Sequence, residues 1–349
     1  MAVRDIIVIG ASAGGTEALV HLVRGLPASF PASLFVVCHV PSGGRSFLPE
    51  ILSRSGPLLA THAATGEFFP GHVFVAPPGH HLVLEPGAQM RLTHGPRENS
   101  HRPAIDPLFR SAARHYGVRV ISVVLTGSLS DGTAGTLAVR AAGGVAVAQD
   151  PRDAVVAAMP QSASQIAGVD HVVPLADMPR LLIDLVRGPM QAQPGAGTMS
   201  AQSNDPSERS SRMVEQTMRS QAHGERRGQV SMFTCPECGG ALWQMDEPAL
   251  IQFRCHVGHA YTAEVLLTEQ TDALEAALWT AVRTFREKTV LTQQLATRER
   301  ERGNEQGAER FEEQASQTAR YANLIVEHVL HAGGTGGVSP PDIDDRGAP

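Results

Sequence analysis

The chain of 349 residues contains no run of 18 or more apolar residues, which excludes a helical membrane span of ordinary length. Its first residues pass straight into an apolar strand-like run without the charged and cleavable pattern of a secretory leader, so a cytoplasmic protein that is not embedded in a membrane is expected. A surplus of positive charge is also missing. With a formal net charge of -6, no broad nucleic-acid-binding face is expected. Cysteine is scarce, four residues in all, and the spacing does not suit a disulfide framework: Cys38 stands alone in an apolar run, while Cys235, Cys238 and Cys255 crowd together. Such a cluster suits metal ligation better.

What is present divides sharply near residue 188. Up to that point apolar runs (IIVIG, LFVVCHV, HVFVAP, VRVISVVLTG, GVAVAQ, DHVVPL) alternate with helical stretches such as DPLFRSAARHYG and DGTAGTLAVRAAGG. This is the pattern of a doubly wound α/β fold, a mostly parallel sheet with helices on both faces. HHLVLEPGAQMRLT alternates around Pro86-Gly87 and reads as an inserted antiparallel hairpin. Residues 189–230 are rich in Gln, Ser, Gly, Pro and Met without periodicity and are expected to form a flexible linker. Residues 1–188 hold 14 Arg against 13 acids, leaving 15 basic and 22 acidic residues beyond, so the acidity belongs to the C-terminal half.

In an open parallel sheet, functional groups collect beyond the carboxyl ends of the strands. The stretch IVIGASAGGTEA ends its strand at Ser12, LFVVC is followed by His39, and VISVVLTG by SLSDG with Asp131. A serine hydroxyl is a poor nucleophile at neutral pH; it needs an imidazole to take its proton and a carboxylate to hold the imidazole in one tautomer. Each residue has a plainer reading, Ser12 as a packing residue or part of a phosphate loop, His39 as a satisfied strand-end histidine, Asp131 as a helix N-cap. Three placements at strand ends favour the triad. The chain order Ser, His, Asp differs from that of the α/β-hydrolases, and GASAGG lacks the dinucleotide-binding spacing.

These residues carry a resemblance. IVIGASAGGTEAL, VVCHVPSG, HRPAIDPLF, VVLTGSLSDGTAG and VAQDPRDAVVAAMPQSA resemble, in order, the motifs of the catalytic domain of the chemotaxis protein-glutamate methylesterases, the CheB family, over roughly residues 1–188. The resemblance implies hydrolysis of glutamyl γ-methyl esters on a methyl-accepting chemoreceptor, and in many members receptor glutamine deamidation, with Ser12, His39 and Asp131 catalytic and no catalytic cofactor. Two positions depart from the family pattern: Ala13 stands where Thr is common, and Ser128 where Met is usual. Main-chain N–H groups at both positions are expected to hold an oxyanion, a role that does not depend on the side chain. The receiver domain that usually precedes this sequence is expected to be absent, so that the enzyme is either ungated or controlled by something the C-terminal half supplies. A non-catalytic regulatory module and a hydrolase of small soluble esters are the competing functions.

That half opens with FTCPECGGALWQMDEPALIQFRCHVGHAYT over residues 233–262. Cys235, Cys238, Cys255 and His259 supply three thiolates and an imidazole, which suits a closed, tetrahedral structural zinc site; His256 is the alternative fourth ligand and a redox C-x-x-C the rival chemistry. Residues 231–262 are expected as a zinc-ribbon-like unit. Beyond Thr262, an expected N-cap, residues 263–332 read as a helical hairpin broken at Gly303-Asn304, with Leu274, Leu278, Ala281, Phe285, Leu291 and Leu295 as its apolar stripe. Its expected use is packing or oligomerisation, and residues 333–349 are expected to be disordered. The acidic surplus reads most plainly as a solvated face with no partner; the alternative is that it meets Arg45, Arg97 or Arg102 in loops near the site, so that the C-terminal unit restricts or directs receptor access.

Overall fold

The structure is a computed structural model that describes residues 4–39, 46–188, 228–245 and 250–332. Arg45, residues 189–227 of the expected linker and the expected tail 333–349 lie outside the described residues. Two compact units are formed, Met1–Leu266 and Leu267–Pro349.

The first unit contains the strands β1 (Ile6–Ala11), β2 (Ser33–Cys38), β3 (Leu59–His62), β4 (Gly66–Glu67), β5 (His72–Val75), β6 (His81–Glu85), β7 (Gln89–Thr93), β8 (Val120–Val124), β9 (Val145–Gln149) and β10 (His171–Val173). Seven of them make one parallel sheet in the order β10, β9, β8, β1, β2, β5, β3, and β4, β7 and β6 make a small antiparallel sheet. The expected α/β fold and hairpin are therefore present. Strands β3 and β4 are additions that the apolar runs do not reveal. Both are short, and β3 alternates exposed and buried residues at the sheet edge instead of forming a buried apolar run.

The helices of this region are α1 (Gly15–Arg24), α2 (Leu48–Ser55), α3 (Ile105–Tyr116), α4 (Thr133–Ala141), α5 (Ala158–Ser162) and α6 (Met178–Arg187). Strand residues alternate between two cores. Ile7, Ile9 and Ala11 of β1 face Leu19 and Leu22 of α1, Leu52 of α2 and Leu182 of α6. Ile6 and Val8 face Leu108 and Phe109 of α3, Val139 of α4 and the hairpin residues Leu82 and Leu84. Both layers need β-branched residues on both faces of the central strands, which is why these strands read as continuous apolar runs. Gly10 breaks the run because a Cβ there would lie 2.5 Å from Ile105 Cγ2. Its bare backbone lets the N-terminus of α3 close onto β1.

The C-terminal part of the first unit is an antiparallel sheet of β11 (Gln229–Thr234), β12 (Ala241–Met245), β13 (Gln252–Cys255) and β14 (Ala260–Thr262), in that order. It does not stand apart from the parallel-sheet region. Asn99 N–H donates to Ala260 O at 2.8 Å and Ala260 N–H to Arg97 O at 3.3 Å, so β14 pairs with the loop before α3. Leu129 packs on the ribbon's core of Leu242, Phe253, Tyr261, Val265 and Leu266.

Helix α7 (Ala263–Glu301) starts on the expected cap, Thr262 Oγ1 accepting the Val265 N–H at 3.3 Å. In the second unit α7 and α8 (Glu305–Ala332) join through Gly303, at φ 76°, and Asn304, whose side-chain oxygen caps Gly307. The expected stripe is corrected in part here. Leu278, Ala281, Phe285 and Leu295 are half-buried, the Phe285 ring centroid lying 5.7 Å from that of Tyr321, but Leu274 and Leu291 are exposed, and the buried positions of the pair are Val282, Thr292 and Ala296 on α7 and Ala308, Ala315, Thr318 and Ala322 on α8. Their period of about 3.5 residues admits small and hydroxyl residues, including a Thr289–Thr318 hydroxyl pair at 2.9 Å, and leaves Leu291 one position off the contact line. Among the described residues no helix is long and apolar enough to cross a membrane.

Candidate active site

Strands β1, β2 and β8 lie side by side in the sheet, so the residues just beyond them emerge at one edge. Ser12 succeeds β1 on a turn closed by Gly15 N–H to Ser12 O and by Gly14 at φ 75°. Its hydroxyl lies 3.2 Å from His39 Nδ1, and His39 Nε2 lies 2.8 Å from Asp131 Oδ2. The ring is held between them and stacks on His101, with centroids 3.6 Å apart and planes at 12°. Gly127 permits the close approach of the β8 exit to the serine, since a Cβ there would sit 2.7 Å from Ser12 Cβ and 2.2 Å from Met159 Sδ.

Asp131 is fully buried and does not cap α4, whose N-cap is Gly132 with no side-chain cap bond. Its oxygens collect donors instead. Oδ2 accepts the Ile105 N–H at 2.7 Å as well as the His39 N–H, and Oδ1 accepts from Asn99 Nδ2 and Gly132 N at 3.0 Å and from Asp106 N at 3.3 Å. Two of these N–H groups open α3, so its positive end points at the carboxylate. Burial acts to raise the Asp131 carboxyl; the hydrogen bond and charge of His39 and the Ile105 N–H outweigh it and hold the group well below the usual carboxylate range. An ionised Asp131 can only accept, so the His39 proton resides on Nε2. Nδ1 is thereby left as the acceptor for the serine hydroxyl.

Asp106 shares the same pocket with fewer donors, Gly135 N at 2.7 Å and Asn99 Nδ2 at 3.1 Å. Burial, and next the charge of Asp131, push its carboxyl up to about 8. Of the two carboxyls Asp106 is the one that keeps its proton. Because its folded value lies above the unfolded one of about 4, the stability it contributes is present below about pH 4 and lost as pH rises toward about 8. We expect Asp106→Asn to remove that slope. Urea unfolding from about pH 5 to about pH 8 should show the variant gaining on the wild type as pH rises, and a constant gap would contradict the assignment.

Around this core the serine turn is pinned from a third side. The Thr126 hydroxyl accepts the Val156 N–H at 2.8 Å and donates to Ala13 O at 2.9 Å, while Thr126 N–H donates to Gln149 Oε1 at 3.0 Å. Ala13 and Ser128 are both exposed at the mouth. Gly127 N–H is engaged by Val156 O and Ser12 N–H by Thr126 O, each at 3.0 Å. These two donors are therefore excluded from the oxyanion role. Sequence reasoning missed Asn99, His101, Asp106, Thr126 and Gln149 as parts of the site. The signal for the first is local, since Asn99 (φ 50°) and Ser100 (φ 64°) occupy a mirror-image turn that favours Asn.

The second cluster brings Cys235, Cys238, Cys255 and His259 together, one ligand atom from each within 4.8 Å of the others. Cys238 Sγ and Cys255 Sγ are 3.7 Å apart, and His259 Nδ1 is 3.6 Å from Cys235 Sγ and 3.5 Å from Cys255 Sγ. A tetrahedral zinc with bonds of about 2.3 Å to sulfur and about 2.05 Å to nitrogen has edges of about 3.8 Å and about 3.6 Å. The donor set fits that metal. His259 Nε2 lies 3.2 Å from Glu237 Oε2, the carboxylate partner that orients metal-bound imidazoles. His256 is exposed and outside the group, and none of the four cysteines is in a disulfide.

Of the arginines expected to meet acids from the C-terminal half, Arg45 lies outside the described residues, and the contacts described for the other two are these. Arg97 offers its carbonyl to β14 and Arg102 Nη1 donates to Gly95 O at 3.0 Å, while an ion pair of the opposite sense joins Arg254 of β13 to Glu98 at 3.7 Å.

Comparison with known proteins agrees with this geometry. The CheB methylesterase family profile matches residues 7–182, half of the chain. The chain belongs to the CheB methylesterase family. Within curated CheB relatives, the protein-glutamate methylesterase/protein-glutamine glutaminase 2 of Anaeromyxobacter dehalogenans is 41% identical over 184 residues, covering 52% of this chain and 54% of the relative. The protein-glutamate methylesterase/protein-glutamine glutaminase of Pectobacterium atrosepticum is 42% identical over 174 residues, 49% of each chain. This chain thus spans about half the length of the curated relatives it matches. The crystal structure of the Thermotoga maritima CheB methylesterase catalytic domain superposes with a TM-score of 0.51 at 36% identity, covering 53% of this chain and 100% of that one.

Proposed function

We propose that this chain hydrolyses glutamyl γ-methyl esters on a methylated chemoreceptor or similar signalling protein, and deamidates glutamine side chains at equivalent positions. The observation that carries the reading is the continuous hydrogen-bonded line from Ser12 through His39 to the charged Asp131. Ser12 Oγ attacks the γ-carbonyl carbon while His39 Nδ1 takes its proton. The oxygen that gains charge is held by main-chain N–H groups at Ala13 and Ser128. When the intermediate collapses, the ester C–O bond breaks and His39 returns the proton to the departing methoxide, releasing methanol. Water then attacks the acyl-enzyme with His39 again as base, freeing glutamate and Ser12. With a glutamine the leaving group is ammonia.

Zinc belongs to the Cys235, Cys238, Cys255 and His259 group. Four protein ligands complete its tetrahedron, which describes a structural and not a catalytic metal. The residues of the triad need no cofactor for the steps above.

Incubating the full chain with a methylated receptor fragment and measuring methanol tests the reading. Methanol release that disappears in Ser12→Ala is expected, with kcat/KM on the fragment well above that on a free glutamate γ-methyl ester. Equal values on both substrates would make this a small-ester hydrolase, and no methanol from either would remove the catalytic reading.

A further inference from the structure

The side chain of Asn99 is a junction between the two chemistries of the first unit. Its Oδ1 accepts the Thr262 N–H at 3.1 Å, and its Nδ2 donates to Asp131 Oδ1 at 3.0 Å and to Asp106 Oδ2 at 3.1 Å. Rotated by half a turn, the same amide would set its oxygen against two carboxyl groups and its NH₂ against another N–H. The ribbon's N–H at Thr262 therefore selects the orientation in which Asn99 supports the triad acid. Ser130, the neighbour of Asp131, is tied to the same residue through a hydroxyl pair with Thr262 at 2.8 Å, both side chains being buried.

Charge runs along a parallel path. Arg254 of β13 lies 3.7 Å from Glu98, Glu98 accepts from Arg110 Nη2 at 2.6 Å, and Arg110 lies 4.0 Å from Asp106. Two buried carboxyl groups, Glu98 and Asp106, thus lie beside two guanidinium groups, one of them brought by the ribbon. Without Arg254 that balance fails in a place where unpaired charge is costly.

What holds β13 and β14 in position is the metal group. Cys255 ends β13, His259 immediately precedes β14, and the Cys255 N–H to His259 O bond of 3.0 Å closes the turn between them. Among the described residues the buried core beneath is Leu242, Phe253, Tyr261, Val265 and Leu266 besides two of the cysteines, with Leu129 and Ala263 packed against it. A core of that size does not fold unaided.

We propose that the Cys₃His unit is a working part of the catalytic centre: its β14 edge fixes the amide of Asn99, Asn99 holds Asp131 in place against His39, and metal loading is thereby coupled to turnover at Ser12. Asn99, Ser130 and Arg254 are positioning residues in this scheme. The inference rests on the zinc and nucleophile readings above, and its test separates their failures.

The full chain is purified with its metal, and the rate at which a fluorophosphonate labels Ser12 is measured beside kcat and KM on the methylated fragment. Metal content and the low-field imidazole proton of His39 are monitored as well. Emptying the site by chelation, or with Cys238→Ser, is expected to slow labelling and kcat by about 10²-fold, the cost of a misplacement near 1 Å, and to remove the low-field proton. KM and the far-UV signal of the parallel sheet should hold. Arg254→Gln and Asn99→Asp, which keep the metal ligands, should slow labelling with zinc still bound, whereas Met232→Ser on the ribbon surface should not. Labelling at the loaded rate in the emptied chain overturns the coupling. Metal-dependent labelling without methanol release removes the substrate reading alone. If the purified chain holds no zinc, the metal coupling is overturned, and the ribbon's positioning of Asp131 is decided by Arg254→Gln and Asn99→Asp, wild-type labelling in both overturning that as well.

Discussion

Ser12→Ala is expected to abolish methanol release while leaving the fold intact, and Asp131→Asn to lower kcat by about 10⁴-fold, the scale seen when a triad acid is made neutral. The serine contributes little to stability. It is half-buried, its turn is held by main-chain bonds from Ser12 N–H and Ser12 O, and its hydroxyl bonds only to His39 among the described contacts. The aspartate case turns on its donors. An amide at position 131 must turn its NH₂ toward one side of the pocket. Toward the Oδ1 side it would face Asn99 Nδ2, Gly132 N and Asp106 N, three donors; toward the Oδ2 side it faces the Ile105 N–H and His39 Nε2. The second costs less, because His39 can answer by moving its proton to Nδ1. That tautomer cannot accept a proton from Ser12. Single-turnover measurements with receptor fragment should therefore show the acylation step lost, with fragment affinity kept. A variant that still acylates at the wild-type rate would mean that Asp131 only packs.

The parallel sheet and the convergence of Ser12, His39 and Asp131 were legible because both derive from strand periodicity: buried strands read as apolar runs, and residues at the carboxyl ends of neighbouring parallel strands must share an edge. Side-chain junctions obey no such rule. Asn99 and Asp131 are 32 residues apart and meet only because Gly10 lets α3 approach β1, a fact of packing that no local pattern announces. The strand β3 was hidden by the mixed exposure of a sheet edge. The α7 seam was partly misplaced because Leu was assumed to mark the contact line, whereas a close helix pair there selects Ala and Thr. The ribbon's contact between Arg254 and Glu98 was not legible for a related reason. Net charge describes a surface, and this contact is made by one half-buried arginine, Arg254, against one buried glutamate.

Removing the metal is expected to have the largest structural effect of any single treatment, and to have it locally. Structural zinc in small domains contributes about 10–16 kcal/mol of apparent binding energy, most of which appears as folding energy. Here the ribbon has no competing source of that size. Two of its buried core residues, Cys235 and Cys255, themselves belong to the Cys₃His group, and its edge strand β11 exposes Val230 and Met232. The seven-stranded sheet, in contrast, has continuous cores on both faces that contain none of the four Cys₃His residues. The purified chain should carry one zinc, lost in His259→Ala and kept in His256→Ala. After chelation, amide hydrogen exchange should become fast across the described parts of 228–262 while β1, β2 and β8 stay protected. Exchange that remains slow in the ribbon of a metal-free chain would show that the four residues pack without a metal, and no zinc in protein prepared without chelator would count against the assignment directly.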